Sequence, residues 1–294
     1  MSPRVGFVTA DPVPETDRRL AEVLVAAGID LRVITTDPAP LPPGVLGVPL
    51  LGDAPSGGTV VRHAVRGLRI TSRAGRTGRH IIRSEAAKGS TLRSRVRRAV
   101  IIAPLLDPGW DLLYFPTTAL TRQWAPVIGT GVRFVFSLSP EAVDDHVRWV
   151  LDQAVGVHFP SVDRLRRAHR AGFPMAKGAV IYPGADPARQ GPGGASEPFV
   201  SRSTSEADDQ AIVDAMASGR PIVALTRPGI REIVSNGLEG LVVEGERDLV
   251  AAVDGLRAHP GEATRLGHNA RAKARREFSE ARWSAAFIRL FESV

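Results

Sequence analysis

Glu206 and Asp214 stand eight positions apart in STSEADDQAIVD, a stretch that places acids beside hydroxyl-bearing residues at the start of a helical pattern. Twenty residues on, TRPGIREIV brings a cation, a glycine turn and another acid together as Arg227, Gly229 and Glu232. Arg202 and Ser205 precede the first group. Ionised carboxylates accept hydrogen bonds from hydroxyls, and guanidinium groups pair with phosphates or carboxylates. Each feature also has a purely structural use. An acid in the first turn of a helix gains up to about 1 kcal/mol from the helix dipole with no ligand present, and Gly229 with Glu232 also suits a tight turn entering a helix.

The other familiar chemistries are absent. There is no cysteine, so neither a disulfide nor a thiolate metal site is possible. The seven histidines show no metal-ligand spacing, and no Ser-His-Asp pattern, P-loop or dinucleotide fingerprint occurs. His158 reads as a satisfied core residue inside a strand. No bound cofactor is expected.

The surrounding pattern must position these residues. Apolar Ala211, Ile212, Ala215 and Met216 recur at helical spacing after Ser203, Thr204 and Ser205, and Gly219 ends that helix. Residues 221–225 form an apolar run short enough for a buried strand. From 199 to 243 the order reads strand, helix, strand, short helix, strand, which predicts parallel strands covered by helices. An open sheet of that kind binds ligands at the carboxyl ends of its strands.

This segment resembles the carboxyl-terminal half of retaining GT-B glycosyltransferases that use nucleotide sugars (glycosyltransferase family 4-like). The resemblance rests on AMASGRPIVA, PGIREIV, NGLEGLVV and the ending RREFSEARWSAAFIRLFE, in order over about ninety positions from Ser203 to Phe291. It implies that Glu206 lies near the transferred sugar, that Asp214 stands where a glutamate normally binds the ribose, and that Gly229 and Glu232 face the donor. The amides of residues 205–207, with Arg202 or Arg227, are the candidates for holding the diphosphate. The chain departs from the family at Ala207-Asp208-Asp209, which replaces a glycine turn, and at Ser137-Leu138-Ser139, where a histidine usually follows a strand.

The first half opens as strand, helix and strand over 5–10, 15–27 and 31–35. Further strands are expected over 45–51, 111–115, 132–136 and 155–159, with helices over 119–127, 141–154 and 162–171, the last capped by Ser161. Gly184 and Asp186 match the family's Asn-Gly-Val-Asp turn into the second domain. There the family carries roughly three strand-and-helix units of on the order of 30 residues each. Here PARQGPGGASEP, a linker, stands in their place.

The expected architecture is therefore α/β, with two Rossmann-like parallel-sheet domains of which the second is reduced to about three strands. Residues 1–186 form an acceptor-type domain, 187–198 a linker, 199–279 the abridged nucleotide-sugar domain, and 280–294 a terminal helix returning to the first domain. The implied activity is transfer of a sugar from a nucleotide sugar to a small-molecule or lipid-linked acceptor. The alternative is a non-catalytic relative that partners or activates a complete glycosyltransferase, or forms a homo-oligomer.

The chain carries a formal net charge of +7, and the excess is local. Between Arg62 and Arg98 lie 12 basic residues and one acid, Glu85, or +11, leaving −4 for the remainder. Three readings stand beside one another: a solvated face, an anionic membrane surface worth about 1 kcal/mol per basic residue, and nucleic acid. The shortage of aromatic residues there argues against the last. No run reaches the roughly 20 apolar residues of a membrane span, and the amino terminus enters a strand at once, so a cytoplasmic location is expected, with peripheral attachment at the inner face of the membrane open.

Overall fold

The structure, a computed structural model, describes residues 3–9, 12–35, 40–49, 109–128, 131–138, 144–185 and 197–294. The basic stretch between Arg62 and Arg98, Asp186 and the linker as far as residue 196 lie outside these residues.

The described chain forms two compact units, one of residues 1–158, 171–179 and 288–294, the other of 159–170 and 180–287. The first is built on a seven-stranded parallel sheet: β1 (Arg4–Val8), β2 (Asp30–Thr35), β3 (Leu46–Pro49), β4 (Leu112–Phe115), β5 (Phe134–Ser137), β6 (Gly156–Phe159) and β7 (Gly178–Val180), in the order β3-β2-β1-β4-β5-β6-β7. All four residues of β4, LLYF, are buried, as a strand covered on both faces requires. Helix α1 (Glu15–Ala26) buries Leu20, Ala21 and Leu24. After β4 come α2 (Thr118–Gln123) and α3 (Ala125–Ile128), and α4 (Asp145–Gln153) starts at Asp144, whose carboxylate accepts from the Val147 amide. That start is four residues later than the pattern indicates. An acid satisfying an otherwise orphaned amide defines the end more sharply than apolar spacing does. His158 is partly buried on β6 and meets the Tyr114 hydroxyl at 3.3 Å.

The second unit holds the reduced sheet, β10-β9-β8, from β8 (Phe199–Ser201), β9 (Ile222–Leu225) and β10 (Gly240–Val243). Val200 pairs with Val223 and Val242 with Ala224, all parallel. The three strands therefore adjoin as the alternation of elements predicts. Alternate side chains build separate cores on the two faces. Ile222, Ala224 and Val242 pack with α6 (Asp209–Ala217) and α9 (Pro260–Glu277) through Ile212, Met216, Ala270 and Ala274. Val223 packs on the other side with α8 (Glu246–Ala258) through Leu249, Val253 and Leu256.

The division of the chain differs from a single boundary at residue 186. Helix α5 (Val162–Arg170), with Ser161 before it, belongs to the second unit. Its backbone and arginines bond to residues 206 and 232, 39 to 70 positions away, and sequence order gives no sign of that. The terminal helix α10 (Glu280–Ser293) is shared: Trp283 and Phe287 stack at 6.0 Å within the second unit, and Phe291 meets Tyr114 at 5.5 Å within the first. Gly184 has a packing reason to be glycine, because a Cβ there would lie 2.6 Å from the Trp283 ring. No helix among the described residues is long and apolar enough to cross a membrane.

Candidate functional site

The carboxyl ends of β8 and β9 open onto one cluster. From β8 the chain passes through Arg202 to Ser205 into a 3-10 turn, Glu206–Asp208, and then into α6. The regular helix begins at Asp209, later than the serines imply, because the Ser203 hydroxyl accepts the Ser205 amide (3.2 Å) and forms a local turn instead. From β9 the chain runs through Arg227 and Pro228 to Gly229, which has φ +80° and precedes the short helix α7 (Ile230–Ile233). That backbone suits glycine. A Cβ on Gly229 would lie 3.3 Å from Glu206 Oε1 and 3.6 Å from Ser161 Oγ, so the turn, the acid and the hydroxyl converge.

Glu206 is nearly enclosed, with its side chain 9% exposed. Its carboxylate accepts from Arg164 Nη2, from Arg167 Nη2 (3.2 Å) and from the Ser161 hydroxyl (3.0 Å). Arg164 is buried with it, and burial is the main reason its pKa falls below the usual arginine value. Arg167 is 46% exposed and also pairs with Asp163 at 2.8 Å. Ser161 caps α5, as its position predicts, by accepting the Arg164 amide (3.1 Å).

Glu232 closes the same helix from outside. Its two carboxylate oxygens accept the Val162 and Asp163 amides (2.8 and 2.7 Å), and the Tyr182 hydroxyl donates to it at 2.7 Å. Burial and that bond to a carboxylate push the Tyr182 hydroxyl well above its ordinary pKa. Two orphan amides and the positive end of the helix are thus neutralised by one side chain.

Arg227 lies deeper. Its side chain is 1% exposed and bonds to Asp209, itself almost fully buried. Burial raises the Asp209 carboxyl to about 6 even though Arg227 opposes the shift. Arg202 points away from this cluster, 61% exposed and paired with Glu246 at 2.8 Å. Asp214 lies further along α6, where its carboxylate accepts Gln210 Nε2 (3.0 Å), and the same amide donates to the Gly184 carbonyl (2.8 Å).

The structure therefore gathers Glu206, Gly229 and Glu232 around the start of α5 and places Arg227 behind them. Ser205 is exposed on the approach, and Arg202 and Asp214 are engaged elsewhere. Sequence reasoning missed Arg164, Arg167, Asp209 and Tyr182. Arg164 and Arg167 do share a helix face by their spacing of three, but their partner is some forty residues distant. Among the described residues no group of three or more His, Asp or Glu side chains is placed to hold a metal ion.

Comparison with known proteins points to the same region. The family model described as "Glycosyl transferases group 1" matches residues 194–259, which contain β8 to β10 and the acids of the site. Three solved structures are similar over essentially their whole lengths. Anabaena HepE, solved with UDP and glucose, is 15% identical, with 99% of this chain and 100% of that chain covered at a TM-score of 0.63. Sucrose-phosphate synthase from Thermosynechococcus elongatus is 14% identical, with coverage of 100% and 99% and a TM-score of 0.63. A glycosyltransferase from Rickettsia africae is 11% identical, with coverage of 99% and 98% and a TM-score of 0.61. At such identities the likeness establishes a shared fold, the α/β architecture of GT-B glycosyltransferases. No curated protein matches the chain by sequence.

Proposed function

We propose that the chain is a glycosyltransferase that takes a sugar from a nucleotide sugar bound at the carboxyl edge of its small sheet. The observation carrying this reading is the convergence of Glu206 and the Gly229 turn at the ends of β8 and β9, inside the segment matched by the glycosyltransferase model. The match of fold to HepE, which has been solved with UDP-glucose, supports the donor class. In the reaction the bond from the anomeric carbon to the diphosphate oxygen breaks and a bond to the acceptor oxygen forms. The acceptor's hydroxyl proton passes to the departing diphosphate, and the resemblance to the retaining family implies an unchanged anomeric configuration. The protein's share is positioning and positive charge near the leaving group. Glu206 addresses the sugar hydroxyls, with Gly229 and Glu232 shaping the donor side and Ser205, Arg202, Arg227 and Asp214 the further candidates for donor contacts. The acceptor is a small molecule or a lipid-linked one, which the arginines between 62 and 98 would hold near an anionic membrane surface.

A second reading, a non-catalytic relative that assists a complete glycosyltransferase, is favoured by the pairing of Arg227 with Asp209 and of Arg202 with Glu246, which leaves neither guanidinium committed to a ligand. Thermal unfolding with a panel of nucleoside diphosphate sugars at millimolar concentration separates the two. A donor at 100 times its Kd adds about 2.7 kcal/mol and raises Tm by several degrees. Sugar release with that donor supports the enzyme, and binding without release supports the helper. If no member of the panel shifts Tm, the donor-site reading is wrong.

A further inference from the structure

We propose that Glu206 is an internal stand-in for the donor diphosphate: in the free chain its carboxylate occupies Arg164 and Arg167, and a nucleoside diphosphate binds by taking those two guanidinium groups from it. This rests on the donor-site reading above and names the cations of that site.

Four observations lead to it. First, a guanidinium presents the same planar fork to carboxylate and to phosphate, so an acid seated on two arginines marks a place where a phosphate also fits. Secondly, Arg227 is locked on Asp209 with its side chain 1% exposed, and Arg202 is out on the surface with Glu246. Arg164 and Arg167 are the cations that share an acid which the donor reading assigns to the sugar.

Thirdly, access is graded. Arg167 is 46% exposed and open to an arriving anion, whereas Arg164 is 7% exposed and sits behind the Glu206 carboxylate. Withdrawal of Glu206 uncovers Arg164, and the carboxylate then becomes available to a hydroxyl. The acid is carried on a short 3-10 turn preceded by exposed Thr204 and Ser205, so its displacement breaks no regular helix. The bare Gly229 backbone leaves the neighbouring space without a side chain.

Fourthly, the charge balance favours exchange. Glu206 brings one negative charge to the two guanidinium groups, of which Arg167 also pairs with Asp163, and the diphosphate of a nucleotide brings about two into a poorly hydrated setting where each counts for more than in water. Glu232 remains in place throughout, because it neutralises the amides at the start of α5 and holds the helix that carries both arginines.

The test is calorimetric titration of the full chain with UDP, GDP and ADP. Glu206→Gln keeps the side chain's size and an oxygen for the Ser161 hydroxyl but removes the competing charge. The expected result is a Kd for the preferred diphosphate at least tenfold lower than that of the natural chain. Arg167→Gln should raise Kd at least tenfold. If the natural chain binds and Glu206→Gln binds equally or more weakly, the stand-in is disproved and the donor site survives. If neither binds any of the three nucleotides, the inference and the donor-site reading fall together. Should Glu206→Gln not fold, Arg167→Gln decides, its side chain being half exposed: unchanged affinity overturns the proposal.

Discussion

The two units bury their polar side chains in different ways. Among the described residues of the large-sheet unit, the buried polar ones are Thr9, Thr35, Thr118, Thr121, His146 and one acid, Asp17. In the unit of the small sheet they include Arg164, Arg220, Arg227, Lys273, Asp209, Asp214 and Glu239. Neutral hydroxyls cost little to bury once they are bonded, as Thr121 is to the Thr118 carbonyl (2.6 Å) and to His146 (3.2 Å). Ions must be paired, as Arg227 is with Asp209 and Lys273 with Glu239 at 3.9 Å. A three-stranded sheet has little apolar area with which to offset unpaired charge. The ions buried at the ends of its strands are therefore held in pairs.

Breaking one pair tests this contrast most severely. Asp209→Ala strands Arg227, whose side chain is 1% exposed, and should cost about 3–5 kcal/mol in urea unfolding, against about 1–2 kcal/mol for Thr121→Val in the other unit. Replacing both partners, Asp209→Leu with Arg227→Met, should recover most of the loss, since two apolar side chains need no partner.

Asp17, the one buried acid among the described residues of the large-sheet unit, gives the next effect. Burial raises Asp17 from 3.8 to about 6, a shift that the bond from the Thr9 hydroxyl (2.7 Å) only partly opposes. Between those values the folded chain keeps a proton that the unfolded chain releases. Its stabilising contribution is therefore full below about pH 4 and lost as the pH rises through 6. Asp17→Asn removes this dependence. At pH 7.5 the variant should exceed the natural chain by up to about 3 kcal/mol, converging below pH 4, as read from denaturant midpoints across pH.

Gly229→Ala should cost about 1–2 kcal/mol, from a positive φ combined with a methyl group pressed towards Glu206, and should weaken nucleotide binding in the same titration. Ser161→Ala removes the cap of α5 and a bond to Glu206, with an expected loss of about 1 kcal/mol. Arg202→Ala, on an exposed pair, should change stability by less than about 0.5 kcal/mol, which separates the surface ions from the buried ones.

Much of this architecture can be read in the linear chain. The two parallel sheets, the three strands from 199 to 243, the Ser161 cap and the turn at Gly229 all follow from apolar spacing and from residues with strong local preferences, and the resemblance to a larger family implies that the second sheet is a reduced one. The acids Glu206 and Glu232 stand out by type. What they bind does not, because their partners Arg164, Arg167 and the Val162 and Asp163 amides lie 39 to 70 positions away. The start of α6 shows the same limit at short range: Ser203 and Ser205 have the right types for a helix cap, yet they bond to each other and delay the helix to Asp209.

The order of side chains determined which segments form strands and helices, since alternation and helical spacing are local and hydrophobic burial follows them directly. Only the folded chain decided which acid meets which arginine. An ion pair between distant segments depends on where the sheet brings their ends together, and on how little water remains when it has done so.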